Sequence, residues 1–411
     1  MKLINISHIQ DARSRLQSVI AHQPLAFAPR ISKVANAQVF LKKENLQLTG
    51  AFKIRGAYNK IATLKEQDAR DGTNFLTQGV ICASAGNHAQ GVAYSAQYFK
   101  TKAVIVMPEN TPLLKVDGTK AMGAEVVLVG NNYDESYAYA LKLAKERNLT
   151  FIHPFADVEV MAGQGSIALE MIEEQDLDIV VVPVGGGGLI SGIASAYKAL
   201  SPKTKVIGVN AKGANALMKS FHARQILNSQ SVRTIADGIA VRDVNEGVFE
   251  CVLEGVDDMV EVDDEEIASA ILFLLESQKL VVEGAGAASV AALLHHKLNL
   301  NPSLKVGAVL SGGNIDVTML NMIIERGLFK SDRKMKLEVV LIDKPGSLQN
   351  LTNILTKVGA NIVQINYDRT PTSLEYGDVL ITMALEIKGR EHKESVLKSL
   401  LECGYKFSEV I

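Results

Sequence analysis

Lys53 is the residue whose type and surroundings point most directly to covalent chemistry. It lies in the stretch LTGAFKIRGA (residues 48–57), beside an aromatic ring and between two glycines. A lysine amine attacks carbonyl carbon when its surroundings lower its pKa. Most lysines are instead solvated helix residues, and this stretch alone leaves both interpretations open. The rest of the chain must therefore supply the parts that a lysine nucleophile needs.

A run of four glycines, Gly185–Gly188, is the strongest local signal in the chain. It follows an apolar strand predicted over residues 178–184 and precedes an alanine-rich helix, so its N–H groups and the helix dipole favour a bound phosphate. It is not a P-loop, because no lysine followed by serine or threonine closes it, and Ile190 breaks the GxGxxG spacing. Pyridoxal 5′-phosphate (PLP), an aldehyde with a phosphate, would use both the lysine and the glycine run.

A second glycine motif, GAGAAS over residues 284–289, approaches a dinucleotide fingerprint. Ser289 takes the place of its third glycine, and no acidic residue follows near the twentieth position to bind a ribose. We interpret the motif as a helix start packed against the site. Glu283, just before it, is either a helix N-terminal carboxylate, which we favour, or a polar contact to the cofactor.

Short apolar strands alternate with helices through the first 330 residues, which predicts an α/β fold with a parallel sheet covered on both faces. Three of these strands end in loops of small residues: Ser84–His88, Gly185–Gly188 and Ser311–Asn314. Since ligands bind at the carboxyl ends of parallel strands, we expect the three loops to share one site.

The pattern changes after the charged linker Ser331–Lys334. Strands are predicted over 337–342, 361–367, 378–386 and 405–410, with helices over 347–358 and 391–402. This βαββαβ order is that of a ferredoxin-like module. The sequence thus predicts two domains, residues 1–330 and residues 331–411.

Composition excludes several classes of protein. The 411 residues are 47% apolar and 21% charged, and the net charge of −2 argues against nucleic acid as a partner. Cys82, Cys251 and Cys403 show no CxxC spacing, so neither a disulfide framework nor a zinc site is expected. No long apolar segment predicts a membrane span or a secretory leader, and we expect a cytoplasmic protein.

Four motifs together resemble the threonine ammonia-lyases (threonine dehydratases), which are fold-type II PLP enzymes. They are GAFKIRGA around Lys53, SAGNHAQG from Ser84, VGGGGLISG from Val184 and LSGGN from Leu310, in the order of that family. The resemblance covers about residues 5–328 and implies a tryptophan synthase β-like fold of two open, twisted α/β subdomains. The terminal module, with DKPGSL from Asp343 and GANI from Gly359, resembles an ACT regulatory domain.

Carried over position by position, the resemblance implies that Lys53 binds PLP covalently as a Schiff base and removes the substrate Cα proton. The other implied contacts are Phe52 beside the cofactor ring, Asn87 at its 3′-oxygen, Gly185, Gly186, Gly187, Gly188 and Leu189 at the phosphate, Ser311 at the pyridine nitrogen, and Ser84, Ala85, Gly86, Asn87 and His88 at the substrate carboxylate. A hydroxyl such as that of Ser311 cannot force a proton onto the ring nitrogen, which favours β-elimination over transamination. For the His88 side chain, packing of the loop is favoured over catalysis.

The resemblance implies a carbon–oxygen lyase that converts L-threonine to 2-oxobutanoate and ammonia in isoleucine biosynthesis. The alternatives are a serine-preferring dehydratase, a serine racemase and, from another class, a non-catalytic amino-acid sensor. Racemases that resemble this chain carry a second serine where Ala85 stands, and acidic metal ligands where Asn210 and Ala216 stand, so no metal is expected.

For the ACT-like module, the resemblance implies feedback by isoleucine, opposed by valine, at an effector site with Asp343, Pro345, Gly346 and Ser347. The module could instead only join subunits of a dimer or tetramer.

Overall fold

The computed structural model describes residues 3–410, which form two compact units: the first ends at Ile315 and the second begins at Asp316. The helix over residues 317–330 is thereby grouped with the second unit, because it packs on the strand that follows it. Lys334 on that strand contacts the Glu325 carboxylate at 2.5 Å and the Phe329 ring at 5.7 Å from its centroid. The domain boundary predicted after Lys330 stays a prediction.

The first unit alternates strands and helices, as the spacing of apolar residues predicts. Its strands are β1 (Ala26–Phe27), β2 (Gln38–Lys43), β3 (Val80–Ala83), β4 (Ala103–Met107), β5 (Glu125–Leu128), β6 (Thr150–Phe151), β7 (Ile179–Pro183), β8 (Lys205–Ala211), β9 (Asp258–Val262) and β10 (Lys305–Leu310). Its helices are α1 (Ile6–Leu16), α2 (Pro29–Ala35), α3 (Lys53–Asp71), α4 (Phe75–Gln78), α5 (Asn87–Phe99), α6 (Leu113–Ala121), α7 (Tyr133–Glu146), α8 (Val158–Glu174), α9 (Gly188–Leu200), α10 (Ala216–Ala223), α11 (Glu246–Gly255), α12 (Asp264–Gln278) and α13 (Gly284–Leu294).

A six-stranded sheet in the order β1-β2-β10-β7-β8-β9 forms the larger part of this unit. All neighbours in it are parallel except β1, which pairs antiparallel with β2 at the edge. Because β10 lies between β2 and β7, the loop after Leu310 and the glycine run after Pro183 leave the same edge of the sheet. This arrangement brings two of the three predicted loops together.

A second, four-stranded parallel sheet in the order β5-β4-β3-β6 forms the smaller part. Strand β3 is buried along its length and ends at Ala83, directly before the third predicted loop. The two sheets have separate cores: one includes Val182, Ile190 and Val309, and the other Cys82, Val92 and Ile105. Two α/β subdomains, as the sequence predicts, are therefore present. Within residues 3–410, no helix is both long and apolar enough to cross a membrane.

The second unit contains an antiparallel sheet in the order β12-β13-β11-β14. Its elements are α14 (Val317–Lys330), β11 (Lys334–Ile342), α15 (Ser347–Val358), β12 (Asn361–Asp368), β13 (Asp378–Glu386), α16 (Arg390–Glu402) and β14 (Lys406–Glu409). Alternate residues of β11 and β13, such as Val339 and Ile381, are buried under Leu351 and Val396 of the two helices. The predicted βαββαβ order is confirmed.

Candidate active site

Lys53 is the first residue of α3, and its amine faces the interior of the first unit. Nζ donates a hydrogen bond to the carbonyl of Pro154 at 2.8 Å and lies 5.3 Å from the centroid of the Phe52 ring. Burial lowers the pKa of the Lys53 amine to about 8, and the negative charge of Glu283 opposes that shift only in part. The amine is therefore neutral near physiological pH much more often than that of a free lysine, and the neutral form is the one that acts as a nucleophile.

A buried network of charges fixes the first turn of α3. The Arg55 guanidinium, which is fully buried, donates to Glu44 at 2.8 Å and to Glu170 at 2.6 Å. Lys42, also fully buried, donates to Glu170 at 2.5 Å. Two cations and two carboxylates balance one another, so each buried charge has a partner. The network ties strand β2 and helix α8 to the turn that carries Lys53.

The glycine run lies between β7 and α9 with no room for side chains. A Cβ on Gly186 would lie 2.6 Å from the Phe155 ring, and one on Gly185 would lie 2.7 Å from Cα of Ile239. Gly187 has φ +83°, a left-handed conformation that glycine adopts without strain. Helix α9 begins there with no side-chain cap, so its first N–H groups are available to an anion.

The dipeptide Pro154-Phe155 connects the amine to the glycine run, and the motif reasoning missed it. Pro154 supplies the carbonyl bound by Lys53, while the next residue, Phe155, covers Gly186 and Gly188. The amine is therefore next to the proposed phosphate site and is not directed into bulk water. No recognisable motif marks this segment in the sequence.

Asn87, the first residue of α5, is held by hydrogen bonds on both sides of its amide. Its Nδ2 donates to Glu283 at 2.7 Å, and its Oδ1 accepts from Asn314 Nδ2 at 3.2 Å. A second N–H on Nδ2 is thus available to an acceptor such as a phenolate oxygen. Burial raises the pKa of Glu283 to about 7, and the hydrogen bond from Asn87 opposes that rise. Glu283 directly precedes helix α13, the predicted helix start.

Ser311 follows β10 and is bound to the Lys53 segment through backbone atoms. It is 3% exposed, and its carbonyl accepts the N–H of Phe52 at 3.0 Å. Beside it, the N–H of Gly313 donates to the carbonyl of Gly50 at 2.8 Å. The loop that carries Ser311 therefore lies against the residues that immediately precede Lys53.

The loop over residues 84–88 turns tightly from β3 into α5. The Ser84 hydroxyl accepts the N–H of Gly86 at 3.2 Å, and Ala85 packs on the core of the smaller sheet. The His88 ring is buried and its Nε2 contacts the Ile152 carbonyl at 2.9 Å. Burial, with the nearby charge of Lys53, lowers the pKa of His88 to about 3. A neutral ring bound to backbone agrees with the packing role that the sequence favours.

A turn over residues 235–239 also borders the site, although no motif marked it. Ile239 lies against Gly185, while Gly238 approaches the Glu283 carboxyl, because a Cβ there would lie 3.4 Å from Oε1. Partial burial raises the pKa of Asp237, and Lys115 opposes this shift. The turn therefore joins the glycine run to Glu283, and the Asp237 carboxyl is near enough to raise the pKa of Glu283 through its charge.

In the second unit, the carboxylate of Asp343 in the predicted effector loop already has two side-chain partners. Asp343 accepts from the Tyr367 hydroxyl at 2.5 Å and pairs with Arg369 at 2.7 Å. Gly346, after Pro345, has φ +90° and directly precedes helix α15, which begins at Ser347 without a side-chain cap. A charged side chain and a helix N-terminus are thus close in the sequence of one loop.

These residues fit PLP on three independent features. The lysine amine has a lowered pKa, the glycine run presents helix N–H groups that no side chain caps, and Asn87 keeps an N–H donor beside Glu283. For metals, the described part of the chain contains no group of three or more His, Cys, Asp and Glu side chains able to hold an ion. Asn210, at the position compared with a racemase metal ligand, donates instead to the Val184 carbonyl at 2.8 Å.

Comparisons with known proteins agree with this chemistry. A family described as "Pyridoxal-phosphate dependent enzyme" matches residues 16–312, and an ACT domain matches residues 330–404. The chain is 45% identical to an L-threonine ammonia-lyase of Thermotoga maritima over 404 residues, which cover 98% of each protein.

The chain also resembles solved structures of a threonine deaminase and a serine racemase. The processed form of threonine deaminase isoform 2 from Solanum lycopersicum is 36% identical with a TM-score of 0.72, covering 78% of this chain and 87% of that one. Maize serine racemase is 32% identical with a TM-score of 0.73, covering 80% of this chain and 99% of that one. The chain belongs to the threonine ammonia-lyase family of PLP-dependent lyases and carries a C-terminal ACT domain.

Proposed function

We propose that this enzyme converts L-threonine to 2-oxobutanoate and ammonia by β-elimination. The observation that carries the proposal is the buried Lys53 amine, with its pKa lowered to about 8, one dipeptide away from the glycine run. PLP, when bound, supplies the conjugated ring that accepts the negative charge left at the substrate Cα. Lys53 would hold the cofactor through its amine, and the same amine in its neutral form would take the substrate Cα proton.

The remaining residues of the site hold cofactor and substrate in place. Gly185–Gly188 and the N–H of Leu189 would bind the phosphate, Asn87 would donate to the 3′-oxygen, and Ser311 would pair with the pyridine nitrogen. Phe52 packs near the cofactor ring. The backbone of residues 84–88, at the start of α5, binds the substrate carboxylate, which the positive end of the helix dipole favours.

The second candidate is a serine-directed enzyme, either a dehydratase or a racemase. The structural similarity to maize serine racemase favours it. Against racemisation stands Ala85, a methyl group where a second proton carrier would have to lie. A non-catalytic sensor is disfavoured because Lys53, Asn87, the glycine run and Ser311 are all retained.

An ammonia-release assay on L-threonine and L-serine, combined with chiral analysis of the remaining amino acid, decides among these functions. We expect faster turnover of threonine, no D-amino acid, and loss of activity and of PLP binding in Lys53→Ala. Full activity of Lys53→Ala would contradict the proposal for the site. Preference for serine, or formation of D-serine, would replace threonine deamination with the second candidate.

For the whole chain, we propose a catalytic domain up to Lys330 and an ACT domain after it that senses isoleucine, with valine as the opposing effector, in a dimer or tetramer. Feedback by isoleucine would assign the enzyme to isoleucine biosynthesis. Asp343 and the uncapped start of α15 support an amino-acid ligand. We also propose a cytoplasmic location.

A further inference from the structure

The turn over residues 153–156, directly after strand β6, is closed by one histidine side chain. Nδ1 of His153 accepts the N–H of Ala156 at 2.8 Å and the N–H of Phe155 at 3.2 Å. In both bonds, a backbone N–H two or three residues after the histidine donates to its own ring nitrogen, as in an Asx turn. Pro154 lies inside this closed segment, so the direction of its carbonyl depends on the His153 ring.

This one turn contacts both parts of the site that an aldehyde phosphate needs. The carbonyl of Pro154 accepts the Lys53 amine at 2.8 Å. The ring of Phe155 covers Gly186, and its backbone approaches Gly188 so closely that a Cβ there would lie 2.6 Å from the Phe155 oxygen. A change in the turn therefore moves the partner of the amine and the cover of the glycine run together.

The surroundings of His153 keep its ring fixed and neutral. The ring packs edge-to-face on Phe155, with ring centroids 4.7 Å apart, and also edge-to-face on Tyr137, with ring centroids 6.1 Å apart. Burial and the charge of Lys53 lower the pKa of His153 to about 4, against the opposing effect of Asp157. A neutral imidazole with its proton on Nε2 leaves Nδ1 as an acceptor, whereas an imidazolium has no acceptor at all.

We propose that His153 is a positioning residue for Lys53, which acts by holding the Pro154 carbonyl where the free amine binds. The inference rests on the proposed function, in which Lys53 is first the anchor of PLP and then the base. A neutral amine that donates an N–H to Pro154 keeps its lone pair, so the contact orients the base without consuming it. The same contact orients the amine for capture of the cofactor by the cofactor-free protein.

Two substitutions at one position separate the acceptor from the ring. His153→Phe keeps an aromatic ring beside Phe155 but removes Nδ1, whereas His153→Asn offers a side-chain oxygen that accepts the same two N–H groups. A matched control is His392→Phe in the second unit, because Nδ1 of His392 accepts the N–H of Lys388 at 3.0 Å. All variants are made in the full chain, stripped of cofactor, and compared by thermal melting before use.

The readout is the rate and affinity of PLP capture, followed by absorbance and by borohydride trapping on Lys53. We expect His153→Phe to capture PLP about tenfold more slowly and bind it about tenfold more weakly, as loss of two hydrogen bonds predicts. His153→Asn is expected within about threefold of the unsubstituted protein on the same reasoning. His392→Phe should match the unsubstituted protein.

Unchanged capture by His153→Phe, or an equal defect in His153→Asn, would overturn the proposal. If His153→Phe does not fold, ¹⁵N-histidine spectra of the unsubstituted protein decide instead, with His153→Asn used to assign the signal. A proton on Nδ1 of His153 contradicts the acceptor role, and a proton on Nε2 alone supports it. Failure of the proposed function is distinguishable. If the site is wrong, the unsubstituted protein does not capture PLP, or Lys53→Ala captures it as well; if only the substrate is wrong, serine is preferred in the ammonia-release assay and the comparison of the His153 variants is unaffected.

Discussion

At the scale of single residues, the chemistry depends on two groups whose proton equilibria are displaced by burial. Loss of water disfavours the charged form of each, so the pKa of the Lys53 amine falls to about 8 and that of the Glu283 carboxyl rises to about 7. Asn87 contacts Glu283, and Glu283 in turn acts on Lys53 through its charge. The charge of the whole site therefore changes within the pH range in which such an enzyme works.

The first prediction concerns Lys53. Only the neutral amine attacks an aldehyde, so the rate of PLP capture by the cofactor-free protein should rise with pH with a midpoint at about 8. A stopped-flow absorbance titration across this range measures it. A midpoint near that of a free lysine side chain would contradict the burial of the amine. Nα-acetyl-lysine, which keeps a free side-chain amine, is treated in parallel as the control.

The second prediction concerns stability and Glu283. Because its pKa is raised from 4.5 to about 7, the folded protein holds a proton that the unfolded chain releases between those values. Stability from this group is complete below about pH 4.5 and is lost as the pH rises to about 7. The cofactor-free Glu283→Gln protein should therefore be more stable than the unsubstituted protein at pH 8, by on the order of 2–3 kcal/mol, and much less so at low pH.

Chemical denaturation of the cofactor-free proteins at several pH values measures this difference. Glu109→Gln, which removes a carboxyl at an exposed position, is the control and should leave the pH dependence unchanged. The same pH dependence in the Glu283→Gln and unsubstituted proteins would show that another group is responsible.

At the scale of helices and strands, local patterns predicted the elements but not all of their contacts. Helix α15 has the bounds predicted from its periodicity, and the glycine run precedes a helix as expected. The segments at 153–156 and 235–239 reach the site only by long-range packing, so no local signal marks them. Arg55 is a similar case, because a charged residue is expected on the surface unless distant partners neutralise it. Its partner Glu170 is 115 residues away in sequence.

The third prediction tests the buried network around Arg55. Arg55→Met leaves Glu44 and Glu170 buried without their main partner and should lower the free energy of unfolding by about 3–5 kcal/mol. The control is Arg390→Met, which removes an exposed pair with Glu394 and should cost less than about 0.5 kcal/mol. Urea denaturation of both variants gives the comparison. Similar small losses in both would show that the network adds little.

The fourth prediction tests the glycine run as a phosphate site. Gly186→Ala places a Cβ 2.6 Å from the Phe155 ring, which must then move. Overpacking of this kind costs about 1–3 kcal/mol, so PLP affinity should fall about tenfold or more. Gly118→Ala in helix α6, where an added Cβ meets nothing within 4 Å, is the matched control. Equal PLP affinity in the two variants would place the phosphate elsewhere.

At the scale of the whole molecule, the second unit carries a charge arrangement that an amino acid could rearrange. Asp343 pairs with Arg369 at 2.7 Å and with Tyr367 at 2.5 Å, and the Arg369 guanidinium lies 5.4 Å from the centroid of the Tyr367 ring. An amino acid bound at this loop would offer its ammonium to Asp343 and its carboxylate to the N-terminus of α15. Arg369 then competes with the ligand for Asp343. The sequence predicted the loop, but not Tyr367 and Arg369, since β-strand pairing brings them to it.

The fifth prediction follows from this competition. If isoleucine binds as proposed, Asp343→Ala should raise the concentration needed for half-maximal inhibition of threonine deamination about tenfold or more, because a charged hydrogen bond is lost. Arg369→Ala should lower it, by up to about fivefold, since an exposed ion pair is weak and its loss frees Asp343 for the ligand. Arg390→Ala, on the same unit but away from the loop, should match the unsubstituted enzyme. A version ending at Lys330 should be insensitive. Isoleucine-insensitive deamination by the full chain would leave the module with subunit assembly as its role. A half-maximal concentration that rises in Arg369→Ala, or that stays unchanged in Asp343→Ala, would refute the competition even if inhibition itself occurs.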